Sequence, residues 1–128
     1  MTQQDFVIRN VTLWNADGIR PHQDVAVKGG QVTAITGHST VASSGLPEIN
    51  GANLALLPAG VDPQVHLRVP GQPEKETALS GLKAAVGGGV GALLTMPNTK
   101  PVIDDPESFA LAQQQLADAT ASTGVKAY

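Results

Sequence analysis

The feature that most constrains the fold is a change of rhythm after Leu57, where short apolar runs begin to alternate with helical patterns. Five segments follow in the order strand, helix, strand, helix, strand: residues 61–67, 76–86, 90–96, 104–124 and 125–128. Strands that alternate with helices predict a parallel sheet, so the predicted fold class is α/β. Because the last strand is only opening, both helices would be poorly covered, which predicts that this is the first part of a longer protein.

The helix and strand in the middle of this series have distinct apolar patterns. The run 90–96, "VGALLTM", is almost continuously apolar, as expected for a parallel strand that is covered on both faces. The helix before it has apolar residues at helical spacings. They predict one buried face, made of Leu79, Leu82, Ala85 and Val86.

The second helix has clear signals at both ends. Asp105 can cap its first turn, Pro106 suits the first helical position, and Glu107 complements the helix dipole. Gly124 is placed to end the helix. The pattern therefore predicts a helix that begins just after Asp105 and ends before Gly124.

The first 57 residues have a shorter, strand-like period. A turn signal at Asp17-Gly18 and a two-residue hairpin signal at Gly29-Gly30 separate short β-branched runs. Residues 37–51 resemble an irregular loop, and residues 53–60, "NLALLPAG", form a further apolar run. The pattern predicts several strands of a small sheet in residues 1–57 and a separate α/β region in residues 58–128.

The composition limits the partners of the chain. A net charge of -3 argues against a nucleic-acid partner that is bound by neutralising its phosphates. No apolar run approaches the ~20 residues of a membrane-spanning helix, and the absence of cysteine excludes disulfides and thiolate metal sites in this chain. We therefore expect a cytoplasmic protein with neither a nucleic-acid nor a membrane partner.

Polar side chains at the ends of the two predicted strands suggest a binding site. On a strand, Gln64, His66 and Arg68 would project to the same side, each about 6.5–7 Å from the next. Two imidazoles at that spacing can share one metal ion, and a following arginine can pair with a carboxylate. Asn98 follows the second strand, and ligands bind at the carboxyl ends of parallel strands. Gln64 is the unexpected residue in this pattern.

Two stretches of the chain resemble the amino-terminal part of a dihydroorotase, a member of the metal-dependent amidohydrolase superfamily. They are "LLPAGVDPQVHLRVPGQPEKET" at 56–77 and "GLKAAVGGGVGALLTMPNTKPVID" at 81–104. The order of HLR, PG, KET and MPNT is the specific part of the resemblance. It implies that residues 1–57 are the amino-terminal segment of a small β-sandwich. Residues 58–128 would then begin a (β/α)8 TIM-type barrel, which needs about twice this length.

The resemblance also assigns roles to individual residues. His66 matches the second histidine of the family's HxH metal motif, and Gln64 stands where the first histidine is expected. Arg68 and Asn98 match the residues that bind the substrate's carboxylate, while Asp62 is expected to be a structural partner. The implied cofactor is zinc, as one or two ions, with binding weakened by Gln64 because a carboxamide is a weaker zinc ligand than imidazole.

The implied reaction is the reversible hydrolysis of a cyclic amide, L-dihydroorotate, to N-carbamoyl-L-aspartate in pyrimidine biosynthesis. The catalytic carboxylate, the remaining histidines and the modified lysine that bridges the metals in many relatives are expected beyond Tyr128. Residues 1–128 alone are therefore predicted to be inactive.

Two other functions stay open. The chain could belong to a non-catalytic dihydroorotase-like subunit that assembles with aspartate transcarbamoylase, which Gln64 favours. It could also belong to a hydrolase of the hydantoinase, dihydropyrimidinase or allantoinase type, whose substrates lack the carboxylate that Arg68 and Asn98 match. The expected partners are a small-molecule substrate and either a further copy of the same chain or aspartate transcarbamoylase.

Overall fold

The computed structural model describes residues 4–40 and 45–128, which fold into two compact units that divide between Pro58 and Ala59. The first unit contains β1 (Phe6–Asn15), β2 (Gly18–Lys28), β3 (Gln31–Gly37), β4 (Glu48–Asn50) and β5 (Ala55–Leu56). The second contains β6 (Gly60–Val65), α1 (Ala78–Gly87), β7 (Val90–Thr95), α2 (Pro106–Thr123) and β8 (Lys126–Ala127). Among the described helices, none is long and apolar enough to cross a membrane.

The first unit is one sheet in the order β3-β2-β1-β4, in which β5 also pairs with β1. Strands β1, β2 and β3 are antiparallel neighbours, whereas β4 and β5 run parallel to β1. The tip between β2 and β3 is the predicted two-residue hairpin. Lys28 pairs with Gln31, and Gly29 and Gly30 have φ angles of 56° and 74°. This hairpin prediction is confirmed, because its turn needs positive φ at both central residues.

The predicted loop at 37–51 is wrong in its last part. Glu48–Asn50 forms β4, which pairs with Val7, Ile8 and Arg9 of β1. The cause is non-local, because the open edge of β1 supplies the backbone partners of this segment. A three-residue segment is too short for its own pattern to mark it as a strand. Residues 41–44 of the same predicted loop lie outside the described residues.

The core of the first unit contains a charged side chain. Asp24 has no exposed surface, although the other buried side chains described in this unit are apolar. Four groups donate to its carboxylate: Arg9 Nη1 at 2.7 Å, His38 Nδ1 at 2.8 Å, the Asn10 N–H at 3.0 Å and the Ser39 N–H at 3.1 Å. Burial raises the pKa of Asp24, but these hydrogen bonds together outweigh it and hold the pKa far below its usual range. Asp24 is thus an ionised carboxylate that ties three segments of the unit together.

The second unit has the predicted alternation of strands and helices. Its parallel sheet has the order β6-β7-β8, with α1 and α2 packed over one face. The packed residues are Leu67, Val69, Ala78, Leu82, Leu93, Leu116, Ala119 and Val125. The described strands form an open sheet, so the closed barrel stays a prediction.

Two details of the predicted second unit are wrong. The pattern predicts Leu79 and Val86 on the buried face of α1, but they are 39% and 52% exposed. The helix instead packs through Gly81 and Leu82. Gly81 lies so close to Leu67 that a Cβ there would be 2.5 Å from the Leu67 side chain. The pattern also predicts that β7 is covered on both faces, yet among the described residues only the helix-covered face is buried, and Leu94 is 44% exposed on the other.

The end signals of the second helix are confirmed. Asp105 is the N-cap of α2 and accepts a hydrogen bond from the Ser108 N–H at 2.7 Å. Hydrogen bonds from Ser108 lower the pKa of the Asp105 carboxyl. Pro106 begins the helix and Gly124, with a left-handed backbone, ends it. These signals act within a few residues, which is why they can be recognised in the sequence.

Candidate functional site

The candidate site lies where β6 and β7 end. The two strands are parallel, with Gly60 opposite Val90 and Val65 opposite Thr95. The Met96 N–H donates to the Val65 carbonyl oxygen at 2.8 Å, so the pairing extends one step beyond β7. The segments that follow the two strands therefore leave the sheet at one edge, the carboxyl edge where parallel sheets bind ligands.

His66 and Asn98 meet at this edge. The distance between His66 Nδ1 and Asn98 Oδ1 is 2.8 Å, and both side chains are exposed. A carboxamide oxygen can only accept, so in the neutral imidazole Nδ1 is the donor and Nε2 has a lone pair that can bind a metal. The same contact turns the Asn98 Nδ2 hydrogens away from His66. Among residues 4–40 and 45–128, Nδ2 has no hydrogen-bond partner and is free to donate to an anion.

Gln64 stands two positions before His66, at the end of β6. The two residues flank Val65, which packs toward the helices, and both have exposed side chains. The Gln64 N–H donates to Asp62 Oδ1 at 3.0 Å, where the strand pairing is irregular. Asp62 thus shapes the strand, and in the described part of the chain the Gln64 carboxamide makes no hydrogen bond of its own.

Arg68 has a different position from the one the sequence predicts. Strand β6 ends at Val65 and not at residue 67, and Arg68 has a φ of 59°, so the two-residue alternation does not extend to it. Its side chain lines a cavity of about 580 Å³ together with Thr77, Gln115 and Asp118, and neither His66 nor Asn98 lines that cavity. Within the described ranges its guanidinium has no hydrogen bond or ion pair. The structure brings His66 and Asn98 together, while Arg68 lines a different cavity.

The residues present fit a metal site only in part. His66 offers a free imidazole nitrogen, which is a good zinc ligand, whereas Gln64 offers a neutral carboxamide. No three histidine, aspartate or glutamate side chains in the described part of the chain are close enough to hold a metal ion together. His66 can therefore supply one ligand, but the arrangement of two histidines that the resemblance implies is not formed by these residues.

A contact between the two segments after the strands is not predicted by the sequence. The Lys100 N–H donates to the Pro70 carbonyl oxygen at 3.1 Å, and Gly71 packs against the backbone of Lys100. Thr99 is buried beside Asn98. The glycine in "VPGQ" is the one sequence signal that could have indicated this close approach.

Dihydroorotases are among the curated proteins that are similar to this chain. No family model matches the chain. It is 37% identical to a dihydroorotase of Listeria monocytogenes over 123 residues, which are 96% of this chain and 28% of the relative. A dihydroorotase of Thermus aquaticus is 39% identical over 86% of this chain and 25% of the relative. One from Pediococcus pentosaceus is 43% identical over 77% and 24%. The chain thus spans about a quarter of these relatives.

Solved structures of related hydrolases share the mixed α/β fold. The L-hydantoinase (dihydropyrimidinase) of Arthrobacter aurescens has a TM-score of 0.75 and 26% identity, with 89% of this chain and 25% of that chain covered. The dihydropyrimidinase of Brevibacillus agri has a TM-score of 0.71 and 26% identity, with 88% and 24% covered. These likenesses extend over both described units and again correspond to about a quarter of the larger proteins.

Proposed function

Because this chain is a relative of the dihydroorotases and corresponds to their amino-terminal portion, we propose that it is the first part of a dihydroorotase-type cyclic amide hydrolase. The first unit would then belong to a small β-sandwich, and the second would begin a (β/α)8 barrel. The proposed reaction is the reversible hydrolysis of L-dihydroorotate to N-carbamoyl-L-aspartate, a step of pyrimidine biosynthesis in the cytoplasm. The observation that carries this proposal is the hydrogen-bonded pair of His66 and Asn98 at the carboxyl edge of the sheet.

The residues of this chain would bind and orient, and leave the proton transfer to groups elsewhere. A zinc ion held by His66 Nε2 and by further ligands would supply an activated water when bound. Asn98 Nδ2 would donate to the substrate's carboxylate, since its oxygen is already used by His66. Arg68 would be the second carboxylate ligand. In the described part of the chain its guanidinium has no partner, so binding a carboxylate would break no ion pair.

The substrate class can be tested with Arg68→Met. In a purified protein that contains this chain and all further sequence of its gene, we expect the KM for dihydroorotate to rise roughly 10–100-fold, because a charge-assisted bidentate contact is lost. The KM for dihydrouracil, which has no carboxylate, should stay unchanged. Steady-state kinetics on both rings is the measurement, and Arg20→Met, an exposed arginine of the first unit, is the matched control. A wild-type preference for dihydrouracil would establish the hydantoinase or dihydropyrimidinase alternative instead.

The chain of residues 1–128 alone is expected to be inactive. It supplies one imidazole at the site and, in its described part, no group of three metal-binding side chains. Purified residues 1–128 mixed with zinc should therefore show no hydrolysis of dihydroorotate above the zinc-only blank, measured as loss of the ring's ultraviolet absorbance. Turnover above that blank would contradict the assignment of the catalytic groups to later residues.

A second candidate is a non-catalytic subunit that assembles with aspartate transcarbamoylase. The observation that favours it is the carboxamide of Gln64 beside His66, where an imidazole would bind zinc more strongly. Under this alternative, the full-length protein co-elutes with aspartate transcarbamoylase from a size-exclusion column but shows no turnover with added zinc. Turnover without the transcarbamoylase would exclude it.

A further inference from the structure

The segments after β6 and β7 are joined through their backbones. The Lys100 N–H donates to the Pro70 carbonyl oxygen at 3.1 Å, and Pro70 is among the fully buried side chains. This contact lies beyond the last strand pairing, so it is not part of the sheet. It fixes the position of the segment after β7 relative to the segment after β6.

Gly71 allows this close approach. A Cβ on Gly71 would lie 1.8 Å from the carbonyl oxygen of Lys100 and 2.7 Å from its carbonyl carbon, which are backbone atoms and cannot turn aside. Gly71 also has a φ of 101°, which L side chains rarely adopt. Any larger residue at this position must move the two segments apart.

Thr99 fixes the second segment from the other side. It is 5% exposed, and its Oγ1 donates to the carbonyl oxygen of Pro101 at 2.7 Å. The residue next to Asn98 is therefore anchored in the interior, while the Asn98 side chain points outward to His66. The direction of Asn98 follows from how Thr99 is held.

We propose that Gly71 and Thr99 are positioning residues that hold Asn98 against His66 and so leave Nε2 of the imidazole free to bind a metal. His66 and Asn98 are 32 positions apart and lie on different segments. A displacement of about 1 Å would take their 2.8 Å contact out of hydrogen-bond range. The metal-binding role of His66 Nε2 rests on the proposed function, but the positioning of Asn98 by Gly71 and Thr99 does not.

The test uses the tautomer of His66, read from imidazole ¹⁵N shifts at about pH 8.5, where free imidazole is neutral. In the wild type we expect His66 to carry its proton on Nδ1. In Gly71→Ala we expect the population to shift toward the Nε2–H form that predominates in free histidine. Gly87→Ala is the matched control, because a Cβ there meets no atom within 4 Å. His22 and His38, in the first unit, are internal references whose signals should not move.

A second pair of variants keeps the test decisive if Gly71→Ala does not fold. Thr99→Val keeps the shape but removes the hydroxyl, and should shift the His66 tautomer in a folded protein. Thr99→Ser keeps the hydroxyl and should retain the wild-type tautomer. An unchanged His66 signal in folded Gly71→Ala or in Thr99→Val would overturn the proposal. Since no substrate or metal is added, this result is independent of whether the protein is a hydrolase.

Discussion

Replacing Gln64 by histidine is expected to raise the affinity of this protein for zinc by about 100-fold or more. Imidazole is a much stronger zinc ligand than a neutral carboxamide, and the loss of even an indirect metal contact costs 10–100-fold in affinity. Gln64 and His66 stand two positions apart at the end of β6, on either side of Val65 in the chain, and both are exposed. Residues two apart on a strand are separated by about 6.5–7 Å, a spacing at which two imidazoles can share one ion. Competition with a chelating dye measures the change.

Two controls separate a formed site from an added surface histidine. Gln31→His makes the same replacement at an exposed position of β3 and should leave zinc affinity unchanged. Combining Gln64→His with His66→Gln should remove the gain. Equal zinc affinities for the wild type and Gln64→His would mean that residue 64 is not at a ligand position. If zinc affinity rises and turnover does not, the non-catalytic alternative is supported.

Removing the buried carboxylate should give the largest loss of stability in the first unit. Asp24→Ala leaves the guanidinium of Arg9 and the N–H groups of Asn10 and Ser39 without the acceptor that they have in the wild type. We expect the free energy of unfolding to fall by about 3 kcal/mol, because buried donors lose their acceptor, although Arg9 keeps its ion pair with Glu48. Urea unfolding followed by the fluorescence of Trp14, the only tryptophan of the chain, reports on this unit.

The pH dependence gives an independent check of the same contact. Folding lowers the pKa of Asp24, so the unfolded chain binds that proton more tightly. The stability from the ionised form is therefore fully present well above the ordinary carboxyl pKa of about 3.9. It is lost as pH falls below that value toward the folded-state pKa. Asp24→Ala should show a shallower loss in acid, and Asp17→Ala, an exposed carboxylate in a turn, should behave as the wild type. Parallel acid profiles for Asp24→Ala and the wild type would contradict this.

The features that could be predicted from the sequence depend on residues close together in the chain. The hairpin at Gly29 and Gly30 needs two glycines, and α2 needs a cap at Asp105 and a stop at Gly124. Each of these signals is read within one turn. The alternation of strands and helices after Leu57 is likewise a local pattern, and it was enough to place His66 and Asn98 at one edge of the sheet.

The features that could not be predicted depend on distant partners. Strand β4 has three residues and exists because β1 has an open edge more than 30 positions earlier. The position of Arg68 depends on its backbone conformation, and a strand pattern gives no signal for a φ of 59° there. The approach of Gly71 to Lys100 joins two segments that have no common periodicity. In each case the deciding contact lies outside any window that sequence periodicity covers.

The hairpin tip between β2 and β3 offers a place for spectroscopic labelling. At Gly29 the space around the backbone is open, and the flanking Lys28 and Gln31 are exposed. Since the chain has no cysteine, Lys28→Cys would introduce its only thiol. A maleimide dye or nitroxide would react with this chain at that thiol alone. The residues at the ends of β6 and β7 would stay chemically unmodified.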